Sequence, residues 1–161
     1  MTRGEPEIAV RIDDARWRRV PRAAALARRA ARAALAACGA RYRKTETSIV
    51  LASDAAVAKL NAQWRKRRGP TDVLSFPAED GPRRRGSPAL LGDVVVAYGV
   101  AARDARAAGK PLGRHLCHLV VHGTLHLAGY DHQTSHDAER MEALERAILG
   151  NLGLPDPYRD A

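Results

Sequence analysis

The stretch PLGRHLCHLVVHGTLHLAG, residues 111–129, decides how this chain must fold. Leu116, Cys117, Leu119, Val120, Val121, Leu125 and Leu127 distribute around most of the circumference of a 3.6-residue helix. A helix that is apolar on most sides has to be buried, so the rest of the chain must cover it. The exception to its apolarity is equally ordered. His115, His118, His122 and His126 are three, four and four residues apart, which places them along one face. An imidazole on a buried helix needs a partner, because an unsatisfied buried polar group costs about 1–3 kcal/mol.

Moving outward, the segments that surround this helix alternate in period. EIAVRID (7–13) alternates apolar Ile8, Val10 and Ile12 and reads as a strand; TSIVLAS (47–53), TDVLSFP (71–77) and LLGDVVVAY (90–98) read as three more. PRAAALARRAARAALAAC (21–38) reads as a helix with Pro21 in its first turn and Gly39 as its stop. SDAAVAKLNAQWR (53–65) is a helix capped by Ser53 or Asp54, GVAARDARAAG (99–109) a short helix, and HDAERMEALERAILGNLG (136–153) the last one. No repeat or domain linker interrupts the series. The expected fold is α+β: one domain over residues 1–161, with about four short strands in a mixed sheet and about five helices around the histidine-bearing helix. The Gly-, Pro- and charge-rich segment 81–88 is expected to be a mobile loop, and 155–161 a tail.

A length of 161 residues with 45% hydrophobic content suits a single packed core. The start, MTRGEPEIAV, has no apolar run of signal-peptide length, and no later segment suits a membrane span, so a cytoplasmic location is expected. Cys38 and Cys117 lie in apolar segments without pair spacing and read as reduced core thiols. The formal net charge of +9 favours an anionic partner, with nucleic acid foremost, although arginine- and alanine-rich composition alone also yields such a balance.

All six histidines fall between residues 115 and 136. His122 and His126, four apart, can face one ion; Gly129 can turn the chain back so that His132 approaches the same ion. Three neutral imidazoles leave a fourth position open, as in a catalytic zinc site. The pattern H-x-x-x-H-x-x-x-x-x-H is also the ligand spacing of metzincin-type zinc peptidases. Their general base, a glutamate after the first histidine, is replaced here by Gly123. That glycine either leaves room beside the ion or serves packing. His115 and His118 read as second-sphere, substrate-facing or surface residues, and His136 as exposed. Asp131 is either a partner for a ring N–H or a cap.

HGTLHLAGYDH (122–132) resembles the signature of the YbeY proteins, bacterial single-strand endoribonucleases of ribosomal RNA maturation. LNAQWRKRRGPTDVLSFP (60–77) is similar to that family's segment around its functional arginine, and LLGDVVVAY and MEALE match in kind and order. The resemblance runs over residues 46–158. It implies zinc ligation by His122, His126 and His132, one ion per chain, and a requirement for Arg65. It further implies ribosomal RNA as substrate, in small-subunit 3′-end maturation and ribosome quality control, with the ribosome or its proteins as partners. One departure stands out: a commonly acidic position three residues after the arginine is Arg68 here.

The chemistry agrees with that implication. A phosphodiester transition state gathers negative charge, which zinc and a planar guanidinium stabilise. Lys66, Arg67, Arg68, Arg83, Arg84 and Arg85 are candidates for phosphate contacts. Trp64 either stacks on a base or belongs to the core. Asp72 and Asp93 are each a proton acceptor or a turn cap. Two other functions compete: a metallopeptidase or other zinc hydrolase with a base from elsewhere, and a non-catalytic ribosome-associated protein whose metal holds the fold.

Overall fold

The computed structural model describes residues 4–78 and 88–159. Its elements are, in order, β1 (Glu7–Ile12), α1 (Ala23–Cys38), β2 (Thr45–Ala52), α2 (Asp54–Trp64), β3 (Val73–Pro77), β4 (Ala89–Ala97), α3 (Tyr98–Ala107), α4 (Leu112–Leu127) and α5 (Ser135–Asn151). The four strands and five helices form the single α+β domain expected from the periodicities. α1 starts two residues later than Pro21, because Arg22 adopts a left-handed conformation at φ 56° and cannot belong to the helix. α2 begins where Ser53 accepts the Ala56 N–H, which selects Ser53 over Asp54 as its cap.

The sheet has the order β1-β2-β4-β3. β1 runs parallel to β2 and β2 parallel to β4, each joined by helical crossovers, whereas β3 is antiparallel to β4 at the sheet's end. Gly92 permits that last pairing: a Cβ there would lie 2.2 Å from the Phe76 carbonyl oxygen, and its φ of +143° suits glycine.

α4 lies between α1 on one side and β3 and β4 on the other. Leu116, Leu119, Val120, Val121, Leu125 and Leu127 are all buried there. Each such side chain stabilises the fold by about 1.5–3 kcal/mol relative to exposure. A second, smaller apolar layer of Ala52, Val57, Leu74, Val95 and Ala97 lies on the opposite face under α2. Trp17 is fully buried, donates its indole N–H to Ala52 O at 3.0 Å and meets Tyr98 edge-on. Trp64, by contrast, is 65% exposed, so the core reading of that tryptophan is wrong. Cys117 is buried and Cys38 half-buried; both are free thiols, raised in pKa by burial. Segment 81–87 lies outside the described residues. The tail does not hang free: residues 154–159 pack along α4 and α5. Among the described residues no helix is long and apolar enough to cross a membrane.

Candidate metal centre and RNA cleft

The helix-ending turn builds the site. Ala128 caps α4, and Gly129 follows at φ +97°. Gly129 N–H bonds to His126 O and Tyr130 N–H to Leu125 O, both at 3.0 Å. This pair of bonds closes the helix in the Schellman manner, with glycine in the left-handed position. The chain therefore reverses within two residues and carries His132 back over the helix end. Asp131 helps to fix the returning loop by accepting the Gln133 N–H; it holds no ring N–H, and the cap of α5 is Thr134.

The reversed turn also orients one of the imidazoles. Tyr130, whose N–H ends the helix, turns its carbonyl to His126 Nδ1 at 2.9 Å. His122 Nδ1 lies 2.8 Å from the carboxylate of Glu145 on α5. Both partners are acceptors, so both rings carry the proton on Nδ1 and leave Nε2 bare. The two bare Nε2 atoms face each other at 3.0 Å. Two lone pairs at that distance repel unless a cation lies between them. Zinc bonds of about 2.0–2.1 Å at a tetrahedral angle set two such nitrogens about 3.4 Å apart, close to the spacing found. His132 completes the set: ligand atoms of His122, His126 and His132 all lie within 4.8 Å of one another. The donor set thus fits a divalent ion, and His132, exposed at the rim, leaves one side of it open.

The electrostatics agree. Burial, then the neighbouring His122 and His132, push His126 down to about 4, so its imidazole is neutral at ordinary pH and able to bind a cation. Glu145 is fully buried. Burial opposes its ionisation, but hydrogen bonds from His118, His122 and Tyr158 outweigh burial and hold it down at about 2. A buried carboxylate oriented on a ligating imidazole raises that ligand's basicity and fixes its ring. Tyr158 is pushed upward by burial and by Glu145, and remains a donor.

Glu145 was not singled out by the reading of the sequence, although a signal was present. It lies on the apolar stripe of α5, four residues after Met141 and three before Ile148, both buried. A carboxylate on a core-facing stripe demands a partner inside. His118 Nε2 lies 3.3 Å from Glu145 Oε1 and 3.3 Å from the Tyr158 hydroxyl. His115 is half-buried, with neither ring nitrogen hydrogen-bonded among the described residues and its pKa lowered chiefly by burial. His136 is exposed, as expected.

A cleft of about 590 Å³ opens in front of the three histidines, and Arg65 and Arg67 line its other wall. Arg65 caps α2 and donates to Ser75 O at 2.7 Å. Asp72 also lines this cleft, where its carboxylate accepts the Val73 N–H at 2.7 Å and the Thr71 hydroxyl at 3.4 Å. Asp93 lies on β4 away from the histidines, in a depression shared with Glu7 and Glu46. Arg68 is exposed and does not line the cleft. Arg83, Arg84 and Arg85 lie outside the described residues. Gly123 does not open space beside the three histidines. A Cβ on it would lie 2.7 Å from Val94 Cγ1 and 3.0 Å from Ser75 Oγ, so it lets α4 approach the sheet. Its carbonyl accepts the Ser75 hydroxyl at 2.8 Å.

Known proteins are similar to this chain over most of its length. The family profile described as "Endoribonuclease YbeY" matches residues 11–153. A protein named Endoribonuclease YbeY from Azorhizobium caulinodans is 49% identical over 153 residues, covering 94% of this chain and 96% of its own. Its namesake from Rhodopseudomonas palustris (strain BisA53) is 47% identical over 152 residues, covering 89% and 85%. A Thermotoga maritima protein solved in solution has the same fold, with a TM-score of 0.57 at 22% identity over 94% of this chain and 99% of that one. With the profile spanning most of the sequence and near-half identity across almost its whole length, the chain belongs to the YbeY endoribonuclease family.

Proposed function

We propose that this protein is a zinc-dependent endoribonuclease specific for single strands, acting in ribosomal RNA processing at the small-subunit 3′ end and in ribosome quality control in the cytoplasm. The observation that carries the reading is the convergence of two bare imidazole nitrogens, their tautomers fixed by Glu145 and Tyr130, in one cleft with Arg65. One zinc per chain, held by His122, His126 and His132, supplies Lewis-acid charge at a phosphoryl oxygen when bound. Arg65 offers a planar fork to the same phosphate, anchored by its bond to Ser75 O. Arg67 adds positive charge on the same wall for the flanking backbone. The ribosome, or a protein of it, is the partner that presents the RNA.

Two observations disfavour a peptidase. A glutamate at position 123 would be aimed into Val94 and Ser75. The sheet's end strand, β3, is also poorly suited to take up an extended peptide. Its Ser75 carbonyl is occupied by Arg65, its Val73 N–H by Asp72, and Pro77 has no N–H.

The test is cleavage of single-stranded RNA beside a peptide library at equal enzyme, with and without a chelator. We expect chelator-sensitive RNA cleavage and no peptide hydrolysis. Arg65→Ala should lower the cleavage rate by about 10²–10³ while zinc content is retained. Chelator-sensitive peptide hydrolysis with RNA uncut would reverse the assignment. A zinc-loaded protein that cuts neither would leave a metal-stabilised ribosome-binding protein.

A further inference from the structure

The orientation of His122 depends on Glu145, and that of Glu145 depends on the end of the chain. The terminal torsion of a glutamate is broad, so a buried carboxylate held at one oxygen can pivot. Here both oxygens are held. Oε1 takes His122 Nδ1 at 2.8 Å and His118 Nε2 at 3.3 Å, and Oε2 takes the hydroxyl of Tyr158.

Tyr158 reaches that position because residues 156–158 are fastened at several independent points. Lys110 Nζ donates to Pro157 O at 3.1 Å. Asp156 accepts Tyr158 N–H at 2.8 Å and Arg146 Nε at 3.2 Å. The Arg146 guanidinium lies 5.2 Å from the Tyr158 ring, and the His118 ring meets it edge-on at 5.4 Å. Ordering this segment costs conformational entropy, and these contacts offset it at a place where the ring's hydroxyl donates to Glu145 and lies 3.3 Å from His118 Nε2.

We infer that Tyr158 is a positioning residue of the metal centre: the C-terminal segment straps over α5, locks the Glu145 carboxylate with the tyrosine hydroxyl, and through it sets the ring of His122 for the ion. The inference rests on His122, His126 and His132 being the ligands.

The experiment is Co²⁺ titration of the metal-stripped full-length protein against a competing chelator, with the visible d–d spectrum recorded, at a temperature where every variant is folded. Wild type, Tyr158→Phe and Glu145→Gln are compared. Glu145→Gln should weaken Co²⁺ binding by about 10- to 100-fold, the usual range for outer-sphere partners of ligating histidines. Tyr158→Phe should weaken it by about 10-fold, the low end of that range, and shift the d–d bands in the same direction. A merely structural tyrosine would lower the melting temperature and leave affinity and spectrum alone. Wild-type affinity and spectrum in Tyr158→Phe therefore overturn the inference. If Tyr158→Phe cannot be recovered folded, Arg146→Met decides. It loosens the strap without touching Glu145, so weakened Co²⁺ binding supports the inference and unchanged binding overturns it. A wild-type protein that takes up no Co²⁺ refutes the ligand assignment itself, which is a separate reading of the same titration.

Discussion

Gly123 occupies the position where a metzincin holds its catalytic base, yet its constraint comes from packing. The nearest atoms to a Cβ there are Val94 Cγ1, Ser75 Oγ and Val73 Cγ2, at 2.7, 3.0 and 3.2 Å, all on the sheet that α4 crosses. Gly123→Ala should therefore destabilise the fold by about 1–3 kcal/mol through overpacking, measured as a lowered denaturant midpoint at unchanged slope. An unchanged midpoint would show that α4 can retreat freely. Two other residues make stability depend on pH. His126 is lowered from 6.5 to about 4, chiefly by burial, so the unfolded chain takes up the proton first and acid favours unfolding between those values. Glu145 is lowered from 4.5 to about 2, so its contribution is present above 4.5 and is lost as pH falls toward 2. The two windows adjoin. The metal-free protein should lose stability steadily from about pH 6.5 downward, followed by thermal melting across a pH series. In His126→Asn the upper part of that loss should shrink, leaving the share of His115, whose pKa burial also lowers.

At the level of elements, α4 and the turn after it were the most legible parts of the sequence. The helix is long, its apolar residues follow the helical period, and Gly129 marks its end; the structure agrees on all three. The carbonyl of Tyr130 was not legible, because a backbone atom aimed at a ring leaves no mark in residue type. Glu145 was legible in principle, as a carboxylate on the buried stripe of α5. Its partner Tyr158 was not, since the pairing depends on how the last residues fold back. Trp64 misled because a tryptophan on a helix usually faces inward, whereas here α2 ends at the rim of the cleft and the ring stays outside. The turn itself can be tested. Gly129 is left-handed at φ +97°, and nothing lies within 4 Å of a Cβ placed on it, so the obstacle to a side chain is conformational alone. Gly129→Ala should cost about 1–2 kcal/mol by that strain. Because Tyr130 O and His132 are both set by this turn, it should also weaken zinc retention under a chelator challenge. Gly129→Asn, better suited to left-handed backbone, should recover part of both. Equal loss in the alanine and asparagine variants would argue against a backbone cause.

For the molecule as a whole, the decisive quantity is a net charge of +9 on 161 residues. That figure has two sources that a sequence cannot separate: an arginine-rich composition spread over every surface, and a basic surface built for phosphate. The structure places Arg65 and Arg67 on the cleft wall opposite the histidines but leaves Arg68 outside the cleft, so the charge is partly focused and partly diffuse. Salt dependence separates the two. Each phosphate contact with a single strand releases condensed counterions and adds about −0.7 to the slope of log affinity against log salt. A bound strand crossing the cleft should give the wild type a slope equivalent to several contacts. Arg67→Gln, at the cleft, should weaken binding with little regard to RNA sequence and flatten the slope by about 0.7. Arg68→Gln tests the diffuse part: if that residue only contributes to a general positive field, affinity at low salt should fall slightly while the slope stays nearly unchanged. Replacing Arg83, Arg84 and Arg85 together by glutamine should remove up to about 2 from the slope if all three touch the backbone. The measurement is fluorescence anisotropy of a labelled single strand over a series of salt concentrations, with wild type and each variant stripped of metal so that the strand stays uncut. A wild-type slope near zero would mean that the charge reflects composition and does not hold the strand.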